Sequence, residues 1–401
     1  MKRRHFLQLV GTGSAAAGVF PLISLTDIAK LHDSIEPFRL KTLSYIESVC
    51  MKDGPYGQYR YSANVTKPTL YSSSYAAMTR HLYRDLDSLT EHQRQEWINY
   101  LQSHQRDDGM FHDPVVDNGQ YIADEHLSWH VTTALHCLGA DALKPLRWIN
   151  KYKDKRILKK WLDDLEWGFR VDYTSNTVQN LCVALQYARD FHEDEDAAGP
   201  VNQILDYLAN RLDAKTGLWG GSAYDLNKET DLSHAIQAAY HFWLLWIYDG
   251  KMIPFPKLAT DHLLRTQNKN GGYGCGVHNY KNPYRSSACE DIDSIDPMVR
   301  LMLSTGYRRD DITRSLERAL PWVLSKQTEN GSYVFLPGEE FEYGHPELYA
   351  AKGAGGMFAT WFCTLTLAYL AKGLPGSVVG RYDWQFVKSP GSHFWCDVKL
   401  S

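Results

Sequence analysis

The chain has 401 residues, 44% of them hydrophobic and 13% aromatic, with a formal net charge of −4. Such a composition supports a large buried core, and the near-balanced charge leaves no basic footprint for nucleic acid. Seven dispersed cysteines without C-x-x-C spacing make neither a disulfide framework nor a zinc signature. Cys182 and Cys363 sit in apolar helical runs, and Cys275 with Cys289 is the one candidate pair.

At the start, Met1-Lys2-Arg3-Arg4-His5-Phe6-Leu7 sets two arginines before an apolar, Gly/Ala-rich stretch ending near Ile23. This is the pattern of a twin-arginine export signal. No clean A-x-A site follows, so cleavage and an uncleaved anchor of about 18 residues both stay open. On this reading residues 1–30 are a signal or anchor segment and 31–401 one domain. The expected location is periplasmic or otherwise extracytoplasmic, with membrane contact only through that N-terminal segment.

From there helical periodicity dominates, in two alternating sets. Amphipathic helices are expected around 36–50, 91–104, 155–167, 200–212, 257–267 and 313–327. Between them lie stretches without a charged face, 71–82, 126–138, 176–188, 231–245, 291–303 and 353–370, which belong inside. Half-wet helices alternating with buried ones make two layers. Pairing the last inner helix with the first outer one closes the array and removes its exposed ends. The expected fold is all-α, an (α/α)6 toroid.

Gly-plus-aromatic turns punctuate this alternation: Gly54-Pro55-Tyr56, Gly109-Met110-Phe111, Gly168-Phe169, Gly217-Leu218-Trp219, Gly271-Gly272-Tyr273 and Gly331-Ser332-Tyr333. Their spacing, on the order of fifty residues, is that of stacked helix pairs. The fullest forms are Gln105-Arg106-Asp107-Asp108-Gly109-Met110-Phe111, Gln267-Asn268-Lys269-Asn270-Gly271-Gly272-Tyr273 and Gln327-Thr328-Glu329-Asn330-Gly331-Ser332-Tyr333. These resemble the Q-x-x-x-G-aromatic repeats of squalene-hopene cyclases and protein prenyltransferase β subunits, over nearly the whole chain after residue 35. Gly271-Gly272-Tyr273, then Asn282-Pro283, then Asp291-Ile292-Asp293-Ser294 is similar to the cyclase order of G-G-W, loop and D-x-D-D.

Each turn delivers the chain to an inner-helix N-terminus, so polar residues there gather at one mouth of the ring. Capping alone accounts for an Asp, Asn or Ser at such a place, as at Asp231, Asn176 and Ser72. It does not account for Cys289-Glu290-Asp291-Ile292-Asp293-Ser294-Ile295-Asp296. Asp293 and Asp296 are three apart and share a helical face, where burial and like charge raise a carboxyl pKa and make a general acid. The same oxygens read alternatively as a calcium site or as a solvated cap.

A second group is Asp124, Glu125, His126, Trp129 and His130. His126 and His130, four apart, suit a proton shuttle oriented by Asp124, or two zinc ligands lacking an obvious third. A third group is Asp231 with His234, Gln237, Tyr240 and His241, where Asp231 and His234 are spaced for a carboxylate–imidazole pair. Trp129, Trp243 and Trp361 read as core before stacking walls. The six helix N-termini favour an anion at the mouth, opposed locally by the carboxylates.

Three functions follow from this inventory. An exported toroid with such groups suits a glycan substrate. A hydrolase would set Asp293 against Asp231 or Asp124, and a lyase would use His130, His234 or Tyr240 as base. The cyclase resemblance implies instead that Asp293 protonates an alkene, with Asp291 as the preceding Asp of D-x-D-D. Ser294 stands where the final Asp belongs, and one toroid replaces the two helical domains of those cyclases. For the prenyltransferase zinc, Cys289 and Asp291 lie near the right place, with no matching D-x-C or later His. The third reading is a binding toroid without catalysis. No cofactor is called for, with Ca or Zn as the alternatives named above.

Overall fold

A computed structural model describes residues 34–116 and 124–396; the stretch read as an export signal, 1–30, lies outside the described residues. Among the described residues twelve α-helices make six outer–inner pairs. The outer helices are α1 (Glu36–Ser48), α3 (Glu91–Gln102), α5 (Lys155–Asp163), α7 (Ala198–Arg211), α9 (Pro256–Arg265) and α11 (Arg309–Ser325). The inner ones are α2 (Leu70–Leu82), α4 (Asp124–Leu138), α6 (Val171–Phe191), α8 (Glu229–Tyr248), α10 (Ala288–Thr305) and α12 (Met357–Gly373). Every residue of α2 is buried, while α5 buries only Leu158 and Leu162, as a wet outer face requires. Among the described residues no helix is long and apolar enough to cross a membrane.

Each inner helix packs on the next, α2 on α4, α4 on α6 and so on to α10 on α12, and α12 returns to α2. That last contact closes an (α/α)6 toroid. The outer layer closes at the same seam through the glutamine of the final turn. Gln327 Nε2 donates to Phe38 O and Thr42 Oγ1 of α1, each at 2.9 Å. One repeat earlier, Gln267 Nε2 donates to its own Gly271 O at 3.0 Å and to Ser315 O of α11 at 2.8 Å. Gln105 likewise joins Gly109 O to Lys144 O. The glutamine thus ties a turn to the following repeat.

The turn glycine is required by two constraints together. Gly331 has φ +92°, and a Cβ there would lie 2.0 Å from Lys41 O of α1. Gly271 has φ +98°, with Arg318 O of α11 at 2.3 Å from such a Cβ. A left-handed backbone pressed against the neighbouring helix leaves room for glycine only. In the first repeat this role falls to Gly57 (φ +102°, against Trp97 of α3), not Gly54, and Tyr59 is the buried aromatic. The third turn of the sequence pattern, Gly168-Phe169, also departs: Gly168 lacks a positive φ and Phe169 is 70% exposed.

Two features were not legible in the periodicity. A short antiparallel hairpin, β1 (Phe341–Glu342) with β2 (Tyr349–Ala350), lies over the mouth beside α12. Its Tyr343 ring stacks on Phe358 at 4.7 Å between centroids. At the other end, the C-terminal segment enters the bore. Gln385 N donates to Leu82 O, Arg300 Nη2 to Phe394 O at 2.7 Å, and Trp361 Nε1 to His393 Nδ1 at 3.0 Å. Ser389, Ser392, His393 and Phe394 are all buried there, so the ring opens at one mouth and is plugged at its opposite end.

Candidate functional site

The N-terminus of α10 is a capping box. Ser287 Oγ accepts from Glu290 N, and Glu290 Oε2 accepts in return from Ser287 N at 2.8 Å. Glu290 Oε1 takes Val277 N at 3.1 Å. Burial pushes the Glu290 carboxyl up to about 7, against the pull of those amides.

Asp291 is an anchor of the repeat. Its Oδ1 accepts the amide of the turn aromatic Tyr273 at 3.0 Å, as Ser73 does for Tyr59, Ser128 for Phe111 and Thr360 for Tyr333. Here the anchor is charged, and Oδ2 is met by Trp322 Nε1 at 2.9 Å and Lys326 Nζ at 2.5 Å. Asp296 is engaged as well, by Arg300 Nε at 2.5 Å and Tyr240 OH at 3.2 Å. Since Arg300 also holds Phe394 O, Asp296 and Tyr240 belong to the clamp on the C-terminal segment.

Asp293 differs from its neighbours. It is 4% exposed, and among the described residues its Oδ2 has no hydrogen-bond partner. Burial, then the like charges of Glu290, Asp291 and Asp296, hold its carboxyl well above the ordinary range. Its environment therefore favours the protonated form, and one of its oxygens is unengaged. Pro297 lies four residues on and has no N–H to give, so the Asp293 carbonyl lacks its helical partner too. Asp293 faces a small cavity with Glu290, Ser294, Ser233 and Gln237, whose Oε1 is also buried and unpartnered. About 10 Å³ is open to the centre of a water-sized molecule, room for roughly one water.

Across α8 lies a carboxylate of the opposite kind, missed in the sequence. Asp172, in the first turn of α6, receives Arg170 Nε and Nη2 at 3.3 Å each, and His234 Nδ1 approaches to 3.8 Å. Burial opposes ionisation, yet His234 and Arg170 together hold Asp172 below the usual carboxylate range. His234 thus faces Asp172, while Asp231 accepts the Asp225 amide at 3.0 Å. The loop 276–285 brings His278 into the same space, its Nδ1 2.9 Å from Ser287 Oγ and 4.0 Å from Glu290 Oε2. Burial pushes His278 down to about 4, with His234 the first of the nearby charges acting on it.

The α4 group sits farther round the mouth. His126 Nδ1 is 2.8 Å from Tyr71 OH, and burial pushes the ring down to about 3. His130 Nδ1 donates to His126 O, and the ring stacks on Trp129. Asp124 does not orient either imidazole; it pairs with Arg106 Nη2 at 2.9 Å and His112 Nδ1 at 3.2 Å. Trp129, Trp243 and Trp361 are buried core. Around His126 the rings of Tyr71, Tyr75, Tyr343, Phe358 and Trp361 form one aromatic wall.

The ten sequence candidates are therefore gathered at the α4, α8 and α10 sectors, but their partners separate them. Among the described residues no group of three His, Cys, Asp or Glu side chains is arranged to hold a metal ion. Cys275 and Cys289 are both thiols, not a disulfide. Asp172 and His278 could have been suspected only from being polar at an inner-helix start and on the following loop, a weak signal for any one residue.

The closed ring with its polar mouth defines the class, an α/α toroid. No family model matches the chain, and no curated protein does. Solved structures of similar shape include a glycosidase in complex with glucose, 11% identical over 84% of this chain and 97% of that one, with a TM-score of 0.49. A polysaccharide lyase is 9% identical over 84% and 96%, with a TM-score of 0.46. The ent-copalyl diphosphate synthase from Streptomyces platensis is 14% identical over 78% of this chain, which spans 51% of that one, with a TM-score of 0.42. Likeness at such identities concerns fold alone.

Proposed function

We propose that the protein is an acid/base enzyme acting on a glycan at the ring mouth, with Asp293 as proton donor and Asp172 as its ionised counterpart. The observation that carries this is the partnerless Oδ2 of the buried Asp293 at a cavity, its carboxyl pushed up by burial, set against an Asp172 met by Arg170 and His234 and held down by them. Carboxyls driven to opposite proton states are what cleavage by general acid and base requires. His234, against Asp172, is a positioning residue for that carboxylate. His278 is held neutral and within reach of Ser287, which fits it to a hydrogen-bonding role at the substrate side.

The cavity takes about one water, so a sugar reaches Asp293 only when the side chains lining it part. A second reading is favoured by the aromatic wall around Tyr75, Phe358 and Trp361. Rings of this kind stabilise a cation, as an alkene protonated by Asp293 would demand.

The test is a turnover screen on uronic-acid and neutral glycans, with squalene-type polyenes alongside. Asp293→Asn is expected to lower kcat by about 10²–10⁴, with Asp172→Asn lowering it comparably on glycans. Turnover of the polyene alone would move the assignment to the second reading. An Asp293→Asn enzyme as fast as wild type on every substrate turned over would remove Asp293 from the chemistry.

A further inference from the structure

The turn aromatics of the other repeats are packed away: Phe111, Tyr273 and Tyr333 are wholly buried and Trp219 nearly so. In the third repeat the corresponding ring is turned out. Trp167 packs toward Tyr207 and Phe242 in its place, donating Nε1 to Leu162 O at 2.7 Å, and Phe169 stands in solvent. Tyr173 follows, 45% exposed with the Arg170 guanidinium 4.1 Å over its ring. On the facing loop, Tyr280 and Tyr284 are 67% and 52% exposed. Of the five large aromatic side chains exposed among the described residues, only Phe255 lies elsewhere.

These four rings flank the site. Arg170 joins Phe169 and Tyr173 to Asp172. Tyr284 OH donates to Glu229 Oε2 at the start of α8 at 2.8 Å, and His278 of the same loop feels the charges of Asp172 and Arg170. The two aromatic edges therefore stand on either side of the α8 N-terminus, above the Asp172–His234 pair. Exposed rings grouped in this way mark a binding surface, whereas isolated ones need no explanation.

We infer that Phe169, Tyr173, Tyr280 and Tyr284 form stacking subsites for a polysaccharide chain laid across the rim. The inference rests on the proposed glycan reading and narrows its substrate to a polymer. The chemistry favours a sugar face over a lipid surface. The exposed rings are interleaved with Arg170, Glu229 and Lys281, with no large aliphatic side chain exposed beside them. Flat, rigid rings with hydroxyl edges give contact area at low entropic cost and hydrogen bonds to the same ligand.

The experiment is retardation of the full chain in native gels cast with soluble polygalacturonate, alginate, xylan or galactomannan, repeated with phosphatidylcholine vesicles by sedimentation. Expected are retardation in at least one polymer and an affinity at least about tenfold weaker, roughly 1.4 kcal/mol, in Phe169→Ala/Tyr280→Ala. The Phe169→Trp and Tyr280→Phe variants keep it, and all melt with wild type. Asp293→Asn is expected to bind as wild type, so binding with no loss of turnover in Asp293→Asn would overturn the proposed chemistry and leave the rim standing. No retardation in any polymer, retardation unchanged in the double alanine variant, or vesicle binding that this variant abolishes would each overturn the rim.

Discussion

A buried lysine is tolerated only where its charge is answered, and Lys326 is answered by Asp291 and by Ser286 O at 2.9 Å. Replacing it with methionine strands the Asp291 carboxylate in a dry site. Removing one member of such a pair costs about 3–5 kcal/mol, so Lys326→Met should unfold at much lower denaturant in urea titration. Lys326→Met/Asp291→Asn should recover most of that loss. Asp293 predicts the reverse. Its partnerless oxygen and the burial that disfavours its charge mean that Asp293→Asn removes little from the fold, so its melting temperature should match or exceed wild type while turnover falls. The sequence presents Asp291 and Asp293 as equals, two carboxylates one residue apart. Their difference lies wholly in what reaches them: a lysine 35 positions away for one, an empty corner for the other.

At the scale of the element, α10 carries a proline within its own turns, alone among the inner helices described. A proline inside a helix costs about 3 kcal/mol or more, and Pro297 removes the hydrogen bond that would have capped the Asp293 carbonyl. Pro297→Ala should therefore raise the melting temperature and lower kcat, because the restored bond pulls the acid's backbone into a regular turn. A melting temperature below wild type would show that the proline shape is built into the packing. The closing turn predicts loss alone. In Gly331→Ala the new Cβ meets Lys41 O from a left-handed backbone, and calorimetry should show a drop of several degrees with the α1–α11 seam exchanging amide hydrogens first. The glutamine–glycine–aromatic turns were legible because each residue has a fixed backbone duty. Phe169 was not, since Trp167, two residues earlier, takes the packing position that the pattern assigns to the ring after glycine.

The whole molecule should be acid-labile. Nine histidines are held below their ordinary value, chiefly by burial: His81, His126, His130, His136, His192, His241, His262, His278 and His393. Each binds its proton more readily in the unfolded chain, so stability falls as pH drops below about 6.5. The raised carboxyls Asp113, Glu290, Asp291, Asp293 and Asp296 act with the opposite sign, their contribution present at low pH and lost as pH rises through their folded values. The histidines outnumber them, so the melting temperature should decline from pH 7 to pH 5. The decline should be steeper in Asp293→Asn, which lacks one of the opposing groups. A flat profile would mean that the buried imidazoles are not held neutral.

By itself the sequence determined the ring. Period, alternation of wet and apolar helices, and glycines with no room for a side chain are local requirements, and each is written in adjacent residues. It also placed polar groups at one mouth, since every turn leads into an inner-helix N-terminus. Only the tertiary structure decided which carboxyl is pushed up and which is held down. It paired His234 with Asp172 of another helix, gave Asp296 to Arg300 and the C-terminal segment, and left Asp293 alone at the cavity. Proton affinity is set by burial and by charges a few ångströms away, and a closed ring brings those from residues far apart along the chain.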